Sequence, residues 1–180
     1  MTQLFMVHPE LKDALAVATT GLAPRGTHAL RPATAADAEG LATLLSAAYD
    51  EHWDAARVHS VLLDAPDVRT TYLIEEDGEI VATASARYLD DYPASGYLHY
   101  VAADAARAGR GLGLEVTVAV LREFEEQGLS RAVLETDDFR VPAVITYLRL
   151  GFVPEYRDEV ERLAWSQLMR VFFQKKAVAK

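Results

Sequence analysis

Along this chain the apolar residues switch between a helical spacing and a strand-like run, and the switches fall at glycine, proline or acidic turns. Leu41, Leu44, Leu45 and Ala48 recur at helical spacing. The helix they predict opens at Pro32-Ala33-Thr34-Ala35-Ala36-Asp37, a capping-box variant with Thr34 at the cap and Asp37 three residues later. A short strand, His28 to Arg31, precedes it, and a second helix follows over Asp54 to Leu63. Strands Thr70 to Glu75 and Glu79 to Arg87 flank Glu76-Asp77-Gly78, and Asp-Gly between apolar runs predicts a hairpin. The loop Asp90 to Ser95 leads to a strand over Gly96 to Ala102. A long helix is predicted from Gly111 to Gln127, with Leu112, Val116, Val120 and Phe124 on one stripe and Gly128 as its stop. Strand Arg131 to Thr136, helix Pro142 to Leu150 ended by Gly151, strand Phe152 to Glu155 and an amphipathic helix Asp158 to Phe173 complete the order.

That order is β-α-α-β-β-β-α-β-α-β-α. Strands that meet first as a meander and then through helical crossovers imply a mixed sheet with helices on both faces. Residues 1–27 read as an N-terminal extension packing on a domain of residues 28–180, which includes the last helix. The extension holds a short apolar stretch and a helix-capable segment over Leu11 to Val17, punctuated by Gly21, Pro24 and Gly26.

Composition narrows the function classes. With 51% hydrophobic and 25% charged residues, the chain is ordinary globular material. Its formal net charge of −9 and lack of any long basic run disfavour nucleic acid and anionic membranes, and suit a cationic or amine-bearing partner. Cysteine is absent, which removes a disulfide scaffold, a thiolate metal site and a cysteine nucleophile. The five histidines show no zinc-type spacing, so no metal is expected. No segment reads as a signal peptide or membrane span, and a cytoplasmic protein is the expectation.

The stretch richest in chemistry is Ala108-Gly109-Arg110-Gly111-Leu112-Gly113, which follows a strand and opens the long helix. Glycines there let the backbone approach a ligand, and the unpaired amides of the helix start form an anion site reinforced by the helix dipole. Arg107 and Arg110 add charge for phosphate. A Walker loop would need Gly-Lys-Ser/Thr, whereas Leu114-Glu115 follows Gly113. The dinucleotide fingerprint has another spacing and sits near a domain start.

The turn resembles the acyl-CoA pyrophosphate loop of GNAT N-acetyltransferases, Gln/Arg-x-x-Gly-x-Gly/Ala. Gly111 and Gly113 match its small positions, while its Gln/Arg position falls on Ala108, with Arg107 one residue earlier. Arg31-Pro32-Ala33-Thr34-Ala35-Ala36-Asp37 resembles the family's opening strand and helix, and Tyr147-Leu148-Arg149-Leu150-Gly151-Phe152 its Tyr-x-x-x-Gly-Phe motif. The three signals occur in the family's order over residues 28–157. The resemblance implies an α+β, GNAT-like fold: a central mixed, mostly antiparallel sheet of about six to seven strands with helices on both faces. It also implies acetyl-CoA as co-substrate and a small-molecule or peptide amine as acceptor.

Roles follow from the resemblance residue by residue. A bulge in the fourth strand near Val101, Ala102 and Ala103 would present a backbone amide to the thioester carbonyl, and its edge would pair with the pantetheine arm. Arg107, Ala108, Gly109, Arg110, Gly111, Leu112 and Gly113 would hold the pyrophosphate. Tyr147 fits the general acid for the departing thiolate; its plain alternative is a core tyrosine. His99 is the first candidate base, nine positions before Ala108, a spacing found in the family; its alternative is a strand histidine satisfied by a hydrogen bond. Glu135 is the second base, with Asp137 and Asp138 beside it. Arg140 takes a position often held by a CoA-contacting asparagine. Tyr88, Asp90, Asp91 and Tyr92 lie in a loop that shapes acceptor sites in such folds. Trp53 and Trp165 read as packing residues. The last helix, with Leu163, Trp165, Leu168, Met169 and Phe172, reads as core-closing, with a homodimer contact as the other possibility. Beside the enzyme stands a second hypothesis, a module that binds acyl-CoA without turnover, for which Ala108 speaks. A scaffold that binds no CoA is the third.

Overall fold

The computed structural model describes residues 2–12 and 28–178. The strands are β1 (Gln3–His8), β2 (Ala29–Pro32), β3 (Val68–Glu76), β4 (Glu79–Arg87), β5 (Ser95–Ala103), β6 (Arg131–Asp137) and β7 (Val153–Pro154). The helices are α1 (Ala38–Tyr49), α2 (Ala55–Val58, continued by a wide turn over His59–Leu63), α3 (Leu112–Glu126), α4 (Val141–Arg149) and α5 (Glu159–Val178). All seven strands share one sheet in the order β2-β3-β4-β5-β6-β1-β7. Every neighbouring pair is antiparallel except β5 with β6, which run parallel.

Most predicted elements stand within a few residues of their expected ends, because their signals are local. At Thr34 the backbone N–H donates to Asp37 Oδ2 at 2.7 Å, as a capping box requires. Arg31 also donates to that carboxylate, and the contacts hold it well below the usual carboxylate range. Asp54 caps α2 by accepting from the Arg57 amide at 2.7 Å. In the β3–β4 hairpin Asp77 and Gly78 have φ of 53° and 80°, the left-handed pair that a two-residue turn matched to strand twist demands.

The N-terminus departs from the expectation. Residues 3–8, read as an apolar stretch of an extension, form β1, inserted between β6 and β7. Burial on both faces explains the insertion: Leu4 and Met6 join one apolar cluster, Phe5 and Val7 another. The helix-capable segment over residues 11–17 lies from residue 13 onward outside the described residues.

Helices cover both faces. On one, α1 and α2 pack Leu41, Leu45, Val58 and Leu62 against Leu73 and Ala102. On the other, α3 places Val116, Val120 and Phe124 against Ile74, Ala82 and Leu98, joined by Val144 and Tyr147 of α4. Helix α5 closes this second core with Trp165 and Leu168, leaving Val160 and Leu163 exposed. Trp53 and Trp165 are both buried packing residues.

Candidate active site

The parallel pairing of β5 with β6 is short. Ser95, Gly96 and Tyr97 lie in register with Arg131, Ala132 and Val133, and there the ladder stops. Beyond it β5 runs on to Ala103 and β6 to Asp137 without pairing, so the two strands part into a cleft. Gly96 sits at the closed end because the Phe124 ring lies against its backbone; a Cβ there would stand 2.3 Å from the ring.

A bulge deforms the open stretch. Thr83 pairs with Ala102 but Ser85 with His99, so β5 carries one residue more than β4 between these points. Tyr100 takes φ of 43° there, an uncommon backbone state for a residue with a Cβ. Consequently His99 and Tyr100 both face the α1–α2 side, their ring centroids 4.3 Å apart. The expected irregularity near residues 101–103 lies at Tyr100–Val101.

At the end of β5 the chain makes a turn over Ala105–Arg107 and enters α3 through Gly109 and Gly111, with φ of 81° and 84°. A Cβ at either glycine would meet nothing within 4 Å, so backbone conformation rather than crowding calls for glycine. The first amides of α3 have no carbonyl one turn earlier and face outward from this turn. Arg107 and Arg110, expected to offer free charge to phosphate, are engaged instead. Arg110 donates to both Glu76 oxygens at 2.7 and 2.6 Å, and Arg107 reaches Glu76, Glu79 and Asp104. The two guanidinia hold the Glu76 carboxyl down at about 2.

Tyr147 is 5% exposed and stands with Phe152 in the α3–α4 core, ring centroids 5.9 Å apart. Burial raises its phenol well above the ordinary value of 10.0; Tyr49 pushes it further and Arg140 pulls it back. Both neighbours mark the cleft. Tyr49, which sequence reasoning missed, donates from its hydroxyl to the Val101 carbonyl at 3.0 Å, on the bulge itself. Arg140, expected to contact cofactor, donates to the Ala48 carbonyl at 2.8 Å and lies over the Tyr49 ring at 4.0 Å. It thereby joins the α4 start to the end of α1, where carbonyls attract a cation.

His99 and Glu135 project from the two parting strands on the side facing α1 and α2, each two residues past a paired position. Desolvation, followed by the nearby Arg87 guanidinium, lowers His99 to about 4. Arg87 is held by Asp67 at 2.7 Å and points Nη1 at His99 Nε2 across a long 3.5 Å. A guanidinium only donates, so that contact makes Nε2 the acceptor and leaves the proton on Nδ1. Glu135 accepts from the Tyr97 hydroxyl at 3.0 Å and from Arg157.

Of the loop residues expected near an acceptor, only Tyr92 faces this side, stacked on Phe5 at 5.8 Å. Tyr88 turns to the opposite face and donates to Glu123 of α3, while Asp90 and Asp91 are exposed. Asp137 lies 3.9 Å from Arg140, and Asp138 accepts from the Thr2 amide at 3.2 Å. From Tyr92 a line of rings crosses the cleft floor: Tyr97 at 6.0 Å, His99 5.8 Å further, then Tyr100, which meets Trp53 at 4.9 Å and Tyr49 at 5.4 Å. Among the described residues no cluster of three or more His, Asp or Glu is placed to hold a metal, and no helix is long and apolar enough to cross a membrane.

Known proteins share this fold. The profile of the Acetyltransferase (GNAT) family matches residues 38–152, from α1 through the Tyr147 motif to Phe152. The chain belongs to this family. A mycothiol acetyltransferase of Nocardia farcinica is 39% identical over 71 residues, which span 39% of this chain and 23% of that protein. The chain thus aligns with about a quarter of the length of that curated relative. In fold it is similar to the ribosomal-protein-S18-alanine N-acetyltransferase of Escherichia coli, with a TM-score of 0.59 and 18% identity over 69% of this chain and 77% of that one. It is likewise similar to AAC(6')-Iy in complex with the bisubstrate analogue CoA-S-monomethyl-acetylneamine, with a TM-score of 0.60 and 19% identity over 74% and 99% of the two chains. The GNAT core is therefore seen here with an N-terminal strand, β1, built into the sheet beside β6.

Proposed function

We propose that this GNAT chain is an acetyl-CoA-dependent N-acyltransferase, moving an acetyl group directly from the thioester to a primary amine of a small molecule or peptide. The observation that carries the reading is the parting of β5 from β6 past Tyr97 and Val133, with the bulge at Tyr100–Val101 on one wall and the glycine turn at its end. Unpaired β5 backbone suits the pantetheine arm. The outward amides at the start of α3 suit the pyrophosphate, through backbone donors that the Ala108 substitution leaves in place. Arg107 and Arg110 exchange Glu76 for phosphate as ligand enters.

The residues divide the remaining work. An amide at the bulge, in the Val101–Ala103 stretch, polarises the thioester carbonyl, and a fixed donor of this kind costs no reorganisation when charge develops. Tyr147 protonates the departing thiolate from the α4 side. Burial keeps its phenol protonated, and the same dry surroundings raise the basicity of the thiolate. Glu135, held by Tyr97 and Arg157, places a carboxylate at the mouth where an ammonium enters. His99 takes the amine proton, directly or through water, once its Nε2 exchanges Arg87 for the acceptor.

A second reading, an acyl-CoA-binding module without turnover, draws on one observation: in this arrangement Arg87 faces His99 Nε2 and Arg157 ties Glu135, so both candidate bases are engaged. Following free thiol during incubation with acetyl-CoA and primary amines separates the two. Amine-dependent thiol release supports the enzyme. Acetyl-CoA binding with no release for any amine supports the module.

A further inference from the structure

Resting on the acyltransferase reading, we propose that the acceptor is a primary amine carried on an uncharged, apolar, ring-bearing body, seated on Tyr97, His99 and Tyr100 beside the cleft. Three features of the α1–α2 side argue for it.

The first is the surface. Tyr97, His99 and Tyr100 are each half-buried, and they meet one another edge to face with centroids 5.8 and 4.3 Å apart. They lie where β5 leaves β6, immediately next to the bulge. A flat apolar body finds offset and edge contacts on such a row, the arrangement aromatic rings prefer.

The second is that two hydroxyls flanking the row are already bonded. The Tyr97 hydroxyl donates to Glu135 and the Tyr49 hydroxyl to the Val101 carbonyl. A polyhydroxylated acceptor would have to displace these bonds to gain its own.

The third is that the positive charges are committed. Arg57 is held by Glu51 at 2.7 Å, Arg87 by Asp67 at 2.7 Å, Arg140 by the Ala48 carbonyl, and Arg157 by Glu135 and Glu161. An anionic acceptor, such as an amino acid or a phosphosugar, would have to displace Glu51, Asp67, Glu135 or Glu161 to reach an arginine here. Nor does the row suit a polycation. Trp53, Tyr49 and Phe5, the rings at its ends, carry Arg57, Arg140 and Arg157 at 4.0, 4.0 and 4.6 Å. One ammonium, drawn to Glu135, on an apolar body is what remains.

The test uses the full chain. Acetyl-CoA binding is first measured by calorimetry, and thiol release is then compared for 2-phenylethylamine, propylamine, phenylalanine, spermidine and glucosamine. The expected result is a kcat/KM for 2-phenylethylamine roughly tenfold or more above every other amine, the discrimination an apolar pocket supplies. Tyr97→Phe, which keeps the ring, should retain the preference, and Tyr97→Ala should bring 2-phenylethylamine down to the propylamine level. Bound acetyl-CoA with equal or better turnover of any other amine overturns this proposal and leaves the acyltransferase reading standing. Bound acetyl-CoA without turnover of any amine overturns both in favour of the binding module. Failure to bind acetyl-CoA removes the CoA site itself.

Discussion

The hydroxyl of Tyr49, the last residue of α1, donates to the carbonyl of Val101 on the bulge of β5 at 3.0 Å. This bond ties a helix end to the strand whose distortion opens the cleft, and Arg140 lies over the same ring from the β6 side. Tyr49→Phe keeps the ring and removes the bond. A net contribution of about 1 kcal/mol is typical of such a bond, so Tm should fall by a few degrees. The larger effect should be on kcat with bound acetyl-CoA, because the bulge loses its restraint. An unchanged kcat would mean that Tyr49 fills space only.

Tyr147→Phe should lower kcat by about 10²-fold, the lower end for loss of a general acid, while acetyl-CoA affinity stays the same. Calorimetry and thiol release on the same preparation check both halves. Loss of affinity in step with kcat would mark Tyr147 as a packing residue.

The pH dependence follows from His99. Its folded value, about 4, lies below the unfolded 6.5, so the fold favours the neutral ring. The sign is then fixed: the stability tied to this ring is complete above pH 6.5 and is lost as pH falls from 6.5 towards 4. His8, lowered by burial, adds in the same sense. Denaturant titrations between pH 7 and 4 should show this loss, reduced in His99→Gln. Arg87→Met should raise the His99 midpoint seen by ring-proton NMR, yet leave it below 6.5, because desolvation is the larger cause. A wild-type midpoint at 6.5 or above would contradict the buried, Arg87-facing geometry.

Glu76 holds Arg107 and Arg110, the two guanidinia proposed to pass to phosphate. Glu76→Gln should tighten acetyl-CoA binding by up to about fivefold at low salt, with the gain shrinking as salt screens it. Weaker binding in this variant would mean that Glu76 holds the arginines in place for the ligand.

Gly96→Ala sets a Cβ 2.3 Å from the fully buried Phe124 ring. Overpacking of this kind costs about 1–3 kcal/mol or more, to be read from the denaturation midpoint. A neutral effect would show that Phe124 can withdraw from the closed end of the cleft.

Features set by short stretches were legible in the sequence: the Asp77-Gly78 hairpin, the Thr34–Asp37 cap and the glycine entry to α3. Strand β1 was not. Its neighbours β6 and β7 lie more than a hundred residues away, and burial of five of its six residues erases the alternation that marks a strand. Among the candidate site residues, the glycine turn and Tyr147 announced themselves through motifs. Tyr49 belongs to no motif and only follows Ala48 at the end of the predicted helix. The bulge was expected from the resemblance near residues 101–103, but its place at Tyr100 carries no local signal, because its left-handed residue is a tyrosine, not a glycine. The arginines of the turn read as free charge since Glu76 is over thirty residues away and reaches them only through the sheet.

The most direct test of the central claim, that the cleft between β5 and β6 is an acyl-CoA site, is calorimetric titration of the purified chain with acetyl-CoA, set against NAD. Saturable binding of one acetyl-CoA per chain with no heat from NAD is the predicted result, weakened by Gly111→Val, which strains the turn at φ of 84°. No acetyl-CoA binding, or binding untouched by that substitution, would contradict the account.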